Sequence, residues 1–157
     1  MSVESVRRYL DKFGWGDRVV EFEKSSATVA EAAVAAGTEP CRIAKTMSFI
    51  ISGEPVLILL AGDVKVDNHR FKETFHEKAR MPKPEELPEL IGHPQGGVCP
   101  FDIKEGVKVY LDESLRRFET VFPAAGSGNS AIELTIPELE KASRAEGWVE
   151  VSKPIEQ

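Results

Sequence analysis

Thr46-Met47-Ser48-Phe49-Ile50-Ile51-Ser52-Gly53-Glu54-Pro55-Val56-Leu57-Ile58-Leu59-Leu60-Ala61 is the stretch that decides the fold. Two β-rich runs, residues 46–52 and 56–61, flank Gly53-Glu54-Pro55, which reads as a tight connection and makes the pair an antiparallel hairpin. Both runs are apolar at consecutive positions, the pattern of strands near the centre of a core.

Towards the N-terminus, Val3, Val6, Leu10 and Phe13 fall on one face of a helix over residues 3–13. Residues 18–22 read as a short strand. Thr28 and Glu31 have the spacing of a capping box, and the alanine-rich stretch after them should be helical, with Val29, Ala32, Ala33 and Ala36 buried. Gly37 is placed to end that helix in a left-handed turn. Towards the C-terminus, Asp67-Asn68 precedes an amphipathic helix reaching Phe75, and a short helix starts near Pro84. Strands are expected over 107–111, 118–122, 131–134 and 148–151. A second capping box, Thr135 with Glu138, opens a helix to about Ala145. The expected fold is α+β: a single domain over residues 1–157, with a mixed, largely antiparallel curved sheet and flanking helices.

The composition limits the function. A chain of 157 residues with 41% hydrophobic and 29% charged side chains has the makeup of a soluble globular domain. Its longest apolar run, residues 56–61, is too short to span a bilayer, and the polar N-terminus has no secretory apolar stretch. The expected location is the cytoplasm, without a membrane partner. Cys41 and Cys99 read as unpaired thiols. A net charge of −6 is wrong for a protein that grips duplex DNA by its phosphates. An RNA partner would be held by a short end, or with the help of another protein.

Residues 91–101 break the regular pattern, with three glycines and two prolines in eleven positions. Glycine lets backbone amides approach a ligand and proline fixes the path around them. Lys45, at the start of the hairpin among apolar neighbours, could hold a phosphate or stabilise a developing oxyanion; a snorkelling surface lysine fits the same sequence. Asp63 could orient Lys45 or a substrate amine, or serve as a turn residue. Ser127, Asn129 and Ser130 suit hydrogen bonding to a ribose or an α-amino group; a turn without a ligand has the same composition. His93 and Cys99 invite a nucleophile-and-base reading, without a visible orienting group. The three histidines and two cysteines lack zinc spacing, so no metal is expected, and no phosphate-loop or dinucleotide fingerprint suggests a cofactor.

Several segments, in order, resemble the YbaK/ProX family of aminoacyl-tRNA editing domains. They are Ala27-Thr28-Val29-Ala30-Glu31-Ala32-Ala33, Ile43-Ala44-Lys45-Thr46-Met47 and Leu60-Ala61-Gly62-Asp63. Gly92-His93-Pro94-Gln95-Gly96-Gly97-Val98-Cys99-Pro100-Phe101 and Val109-Tyr110-Leu111-Asp112-Glu113-Ser114-Leu115 follow, then Ala125-Gly126-Ser127 through Ile132-Glu133-Leu134. The resemblance covers about residues 20–145. It implies a curved sheet with a cleft and hydrolysis of the ester between an amino acid and the terminal adenosine of tRNA. It places the essential lysine at Lys45 and the glycine-x-x-x-proline loop at Gly96 through Pro100, with Gly97 inside it. Thr46 and Thr28 fall at substrate positions, and His93 near the site. Cys99 stands where many members have another small residue, which argues against a cysteine nucleophile.

The function so implied is a trans-acting deacylase for a small mischarged amino acid, with proline tRNA as one carrier. Its partners would be the aminoacylated acceptor end and a synthetase. A non-catalytic relative that binds tRNA or a synthetase is the alternative, and a Cys–His hydrolase is a third reading.

Overall fold

In the computed structural model, which describes residues 2–155, the hairpin stands at the centre of the sheet. Strands β2 (Ile43–Ile51) and β3 (Glu54–Ala61) pair antiparallel from Ala44 opposite Ala61 to Ile51 opposite Glu54. The turn is Ser52-Gly53, with φ of 53° and 78°, the type I′ pattern whose twist suits a two-residue hairpin. It therefore comes earlier than the expected Gly53-Glu54-Pro55, and Pro55 lies within β3 opposite Ile50. Ile51 and Glu54 close the turn as the hydrogen-bonded pair, so Ile50 and Pro55 form the next, non-bonded pair. The missing N–H of Pro55 thus faces away from β2. The Ile50 amide faces outward as well and donates to the Arg80 carbonyl at 2.8 Å.

Around the hairpin, β5 (Lys108–Asp112), β6 (Thr120–Pro123), β8 (Leu134–Thr135) and β9 (Gly147–Val149) complete a six-stranded sheet in the order β8-β6-β2-β3-β5-β9. Two small ladders flank it: β1 (Val20–Glu21) with β7 (Ser130–Ala131), and β4 (Val64–Val66) with β10 (Ser152–Pro154). Four of the seven ladders are antiparallel; β6 on β2, β5 on β3 and β9 on β5 are parallel. The fold is the expected mixed α+β class.

Five α-helices accompany the sheet among the described residues: α1 (Val3–Asp11), α2 (Val29–Ala36), α3 (Asn68–Phe75), α4 (Leu87–Leu90) and α5 (Ile136–Ser143). Both capping boxes form: the Thr28 hydroxyl accepts from the Glu31 amide, the Thr135 hydroxyl from the Glu138 amide, and each glutamate reaches back. Gly37 ends α2 at φ 69°. Only Ala32 and Ala33 of the expected α2 face are fully buried; Val29 and Ala36 are half-buried. The strand expected over 18–22 shrinks to two exposed residues after a 3-10 turn at Gly16–Arg18.

The core runs through β3, where Leu57, Ile58, Leu59 and Leu60 are all fully buried. Phe49 of β2 meets Phe71 of α3 with ring centroids 5.0 Å apart. Each such side chain contributes about 1.5–3 kcal/mol on leaving water. Asp112 is the buried carboxylate that ties in the C-terminal segment. It accepts from the Ser114 amide at 3.0 Å, the Val151 amide at 2.9 Å and the Ser152 hydroxyl at 2.7 Å. No helix among the described residues is long and apolar enough to cross a membrane.

Candidate functional site

A cavity of about 260 Å³ opens where the N-terminus of α2 meets the first half of β2. Thr28, Val29 and Ala32 form one side, residues 43–48 of β2 the floor, and Gln95, Gly96 and Val98 the facing loop. Met81, Pro82 and Pro84 border it from the segment between α3 and α4. The capping box sets where α2 begins and so where Thr28 stands. Gly62 lets the end of β3 pass close by: a Cβ there would lie 2.0 Å from the Pro40 carbonyl oxygen and 2.8 Å from a Val29 methyl.

Among the described residues, Lys45 is the only ionisable side chain on the cavity wall. It is half-buried, and its ammonium donates to the Val64 carbonyl on β4. Burial pushes its pKa below the ordinary lysine value, while the Asp63 carboxylate opposes that shift. No ion pair joins Lys45 to a carboxylate among the described residues. The next residue, Thr46, also lines the cavity, and its hydroxyl is buried without a hydrogen-bond partner. An unpaired buried hydroxyl is costly unless something fills the space before it.

The facing loop is a turn in which the Gly97 amide donates to the Pro94 carbonyl at 3.0 Å. Gly96 occupies its third position at φ 88°, the type II pattern that favours glycine. Gly97 is needed for a different reason: a Cβ there would meet the backbone of Ser127 at 2.9 Å. The Gly97 amide is therefore committed inside the turn. The Gly96 and Val98 amides, on cavity-lining residues, have no hydrogen-bond acceptor among the described residues.

Of the residues singled out in the sequence, Thr28, Lys45, Thr46, Gly96 and Ser130 come together on the cavity wall; Asp63, His93, Gly97, Pro100, Ser127 and Asn129 do not line it. Both oxygens of Asp63 are held by Arg117, at 2.6 and 3.0 Å. Hydrogen bonds from the Arg117 guanidinium keep the Asp63 pKa below the usual carboxylate value against a smaller opposing effect of burial. Ser127 donates to Asn129 Oδ1 at 2.8 Å, and Asn129 donates to the Phe22 carbonyl at 2.9 Å, so these polar groups bind their own loop to the segment after β1.

His93 and Cys99 do meet, 3.6 Å apart, but both are completely buried. His93 Nε2 lies 2.7 Å from the Phe101 carbonyl and so carries the proton it donates there. The nitrogen nearest the thiol cannot then act as its base. Burial pushes the Cys99 thiol up to about 12 and lowers the imidazole below its ordinary value, the reverse of an activated pair. No group of three or more potential metal ligands forms among the described residues.

The segment over residues 76–84 was not recognised as part of a site. It carries Lys78, Arg80 and Lys83, all exposed, beside the cavity-lining Met81, Pro82 and Pro84. None of these three cations is in an ion pair among the described residues, whereas Arg7, Arg18, Arg42, Arg70, Arg116 and Arg117 all are. Glu77 lies in the same segment and Glu85 and Glu86 follow it, so the charge along this rim is mixed. The spacing of the cations was visible in the sequence, but their attachment to β2 through the Arg80 carbonyl was not.

Residues 23–142 match the model of the aminoacyl-tRNA editing domain. Protein YwhH of Bacillus subtilis (strain 168), itself uncharacterised, is 50% identical over 99% of this chain and 100% of its own length. A proline–tRNA ligase of Aquifex aeolicus (strain VF5) is 31% identical over 56% of this chain, which is 16% of that ligase. A crystal structure of a protein provisionally described as a trans-editing enzyme for prolyl tRNA synthetase superposes with a TM-score of 0.86 at 30% identity, covering 96% of each chain.

Proposed function

The chain belongs to the aminoacyl-tRNA editing domain family, and from that premise we propose that it is a cytoplasmic, trans-acting deacylase that frees tRNA of a small, wrongly attached amino acid. The observation that carries this reading is the small cavity itself. Among the described residues Lys45 is its sole ionisable wall residue, and the Gly96 and Val98 amides of the facing loop have no acceptor. Such a site has donors for an anion and, among the described residues, no cysteine or histidine on its wall.

An aminoacyl ester needs no protein nucleophile. Water, oriented by the neighbouring ribose hydroxyl, attacks the acyl carbon and the carbonyl oxygen takes up the charge; the ester oxygen then leaves as a ribose hydroxyl with one proton of that water, the amino acid departs as its carboxylate, and the other proton passes to solvent. Positioned donors stabilise the transient oxyanion. In this reading the Gly96 and Val98 amides serve that oxygen, while the Gly97 amide stays on the Pro94 carbonyl. Lys45 holds the terminal ribose–phosphate region. Thr28 and Thr46 face the amino acid, whose side chain must be small: alanine, serine, threonine or cysteine. Lys78, Arg80 and Lys83, exposed beside the cavity, suit the phosphates of a single-stranded acceptor end and would make binding salt-dependent. Proline tRNA is the first carrier to test, given the ligase match, and a synthetase is a candidate partner.

A panel of mischarged tRNAs tests the reading. The parent should release at least one small amino acid, and Lys45→Ala should lower the single-turnover rate by about a hundredfold while the melting temperature stays near the parent's. A parent that binds acceptor-end RNA but deacylates nothing would leave the alternative, a non-catalytic tRNA- or synthetase-binding relative.

A further inference from the structure

We propose that Arg117 is a positioning residue for Lys45: its guanidinium holds both oxygens of Asp63 and so keeps that carboxylate from pairing with the Lys45 ammonium. The inference rests on the editing reading of the cavity, in which Lys45 must meet an anionic part of the substrate.

The geometry is that of a clamp. Arg117 Nη2 lies 2.6 Å from Asp63 Oδ1 and Nη1 lies 3.0 Å from Oδ2, the two-pronged fork that lysine cannot reproduce. Its Nε donates to the Ser114 carbonyl at 2.8 Å, and its guanidinium lies 4.7 Å from the centre of the Phe118 ring. The guanidinium is therefore fixed by its own neighbours before Asp63 is considered. On the other side, Lys45 donates to the carbonyl of Val64, the residue next to Asp63. The carboxylate is near enough for its charge to be felt at Lys45, yet it forms no ion pair there. Cys41 and Asp112 are the other titratable groups whose charge reaches Arg117.

Without the fork, Asp63 would be a free carboxylate one residue from the Lys45 anchor. Pairing with it would neutralise the only charge on the cavity wall. The guanidinium thus leaves Lys45 half-buried, cationic and held by a neutral carbonyl alone. Such a cation is poised to accept an incoming anion.

The test compares the parent, Arg117→Met and Arg117→Met/Asp63→Asn. The Lys45 ammonium is titrated by NMR of labelled lysine side chains, and deacylation is followed under single turnover. Arg117→Met should raise the Lys45 titration midpoint and slow deacylation by about tenfold or more. Adding Asp63→Asn should reverse both changes. A residue that merely braces the turn would lower the melting temperature without that reversal. An unmoved Lys45 midpoint in Arg117→Met, or a double variant as impaired as the single, would overturn the inference. If Arg117→Met does not fold, Arg117→Gln carries the same comparison. Should the parent deacylate nothing, the editing reading falls, and the Lys45 titration still decides the charge relation by itself.

Discussion

The loop over residues 92–101 has two sides, and they differ in kind. Gln95, Gly96 and Val98 line the cavity, whereas His93, Cys99 and Phe101 are sealed behind it with no exposed surface. The sealed side holds the residues with the more obvious chemistry, an imidazole and a thiol. Burial has made both inert: the imidazole proton is spent on the Phe101 carbonyl and the thiol is held far above its reactive range. The open side offers little but backbone. Side-chain type alone therefore does not decide which side of the loop can meet a ligand.

Substitutions on the two sides should therefore fail in opposite ways. Gly96→Ala gives the largest expected effect. At φ 88° an alanine is strained by about 1–2 kcal/mol, and its Cβ would stand only 3.4 Å from that of Ala27. If the Gly96 amide serves the oxyanion, turnover per folded molecule should fall by roughly a hundredfold. Melting temperature and single-turnover rate measured on one preparation separate the two contributions. A destabilised but fully active protein would take the open side out of the chemistry.

His93→Leu should do the reverse. It removes a buried hydrogen bond and the unpartnered Nδ1 together. A stability loss of about 1–3 kcal/mol is expected from denaturant unfolding, with the deacylation rate of the folded fraction unchanged. A rate that fell with the parent's stability retained would place His93 at the substrate and erase the distinction.

The smallest effect is one of pH. Desolvation lowers the His93 pKa in the folded protein below the ordinary 6.5. The unfolded chain then binds a proton more readily, so stability is full above about pH 6.5 and declines as pH falls towards the folded value. Thermal melts between pH 7.5 and 5 should show this slope in the parent and less of it in His93→Leu. Equal slopes would mean that other groups dominate the acid response.

What the sequence made legible was what short range decides. The capping boxes at Thr28 and Thr135, the left-handed Gly37 and the central hairpin each depend on residues within a few positions. The turn was misplaced because Pro55 reads as a turn residue, and only the alternation of bonded pairs shows why β3 tolerates it. The β4–β10 ladder escaped notice because three residues carry no periodicity, and the strands expected over 18–22 and 131–134 keep only two paired residues each in the β1–β7 ladder. At the site, Lys45, Thr46, Thr28 and Gly96 were named from family resemblance and loop composition. The Arg117–Asp63 clamp spans 54 positions, and no local pattern announces such a pair. The unpaired Val98 amide was likewise invisible, since backbone donors leave no mark on residue identity.

The pairing of β4 with β10 has a consequence for the order in which the molecule is built. Val64, whose carbonyl receives the Lys45 ammonium, lies in a strand paired to Ser152–Pro154. Contacts this distant in sequence form only after a long loop has closed. A nascent chain that has not reached residue 154 can close the central hairpin but lacks the strand that steadies the lysine's anchor. On the ribosome, then, the scaffold would precede the site, and the protein would gain a settled Lys45 only as its final strand docks.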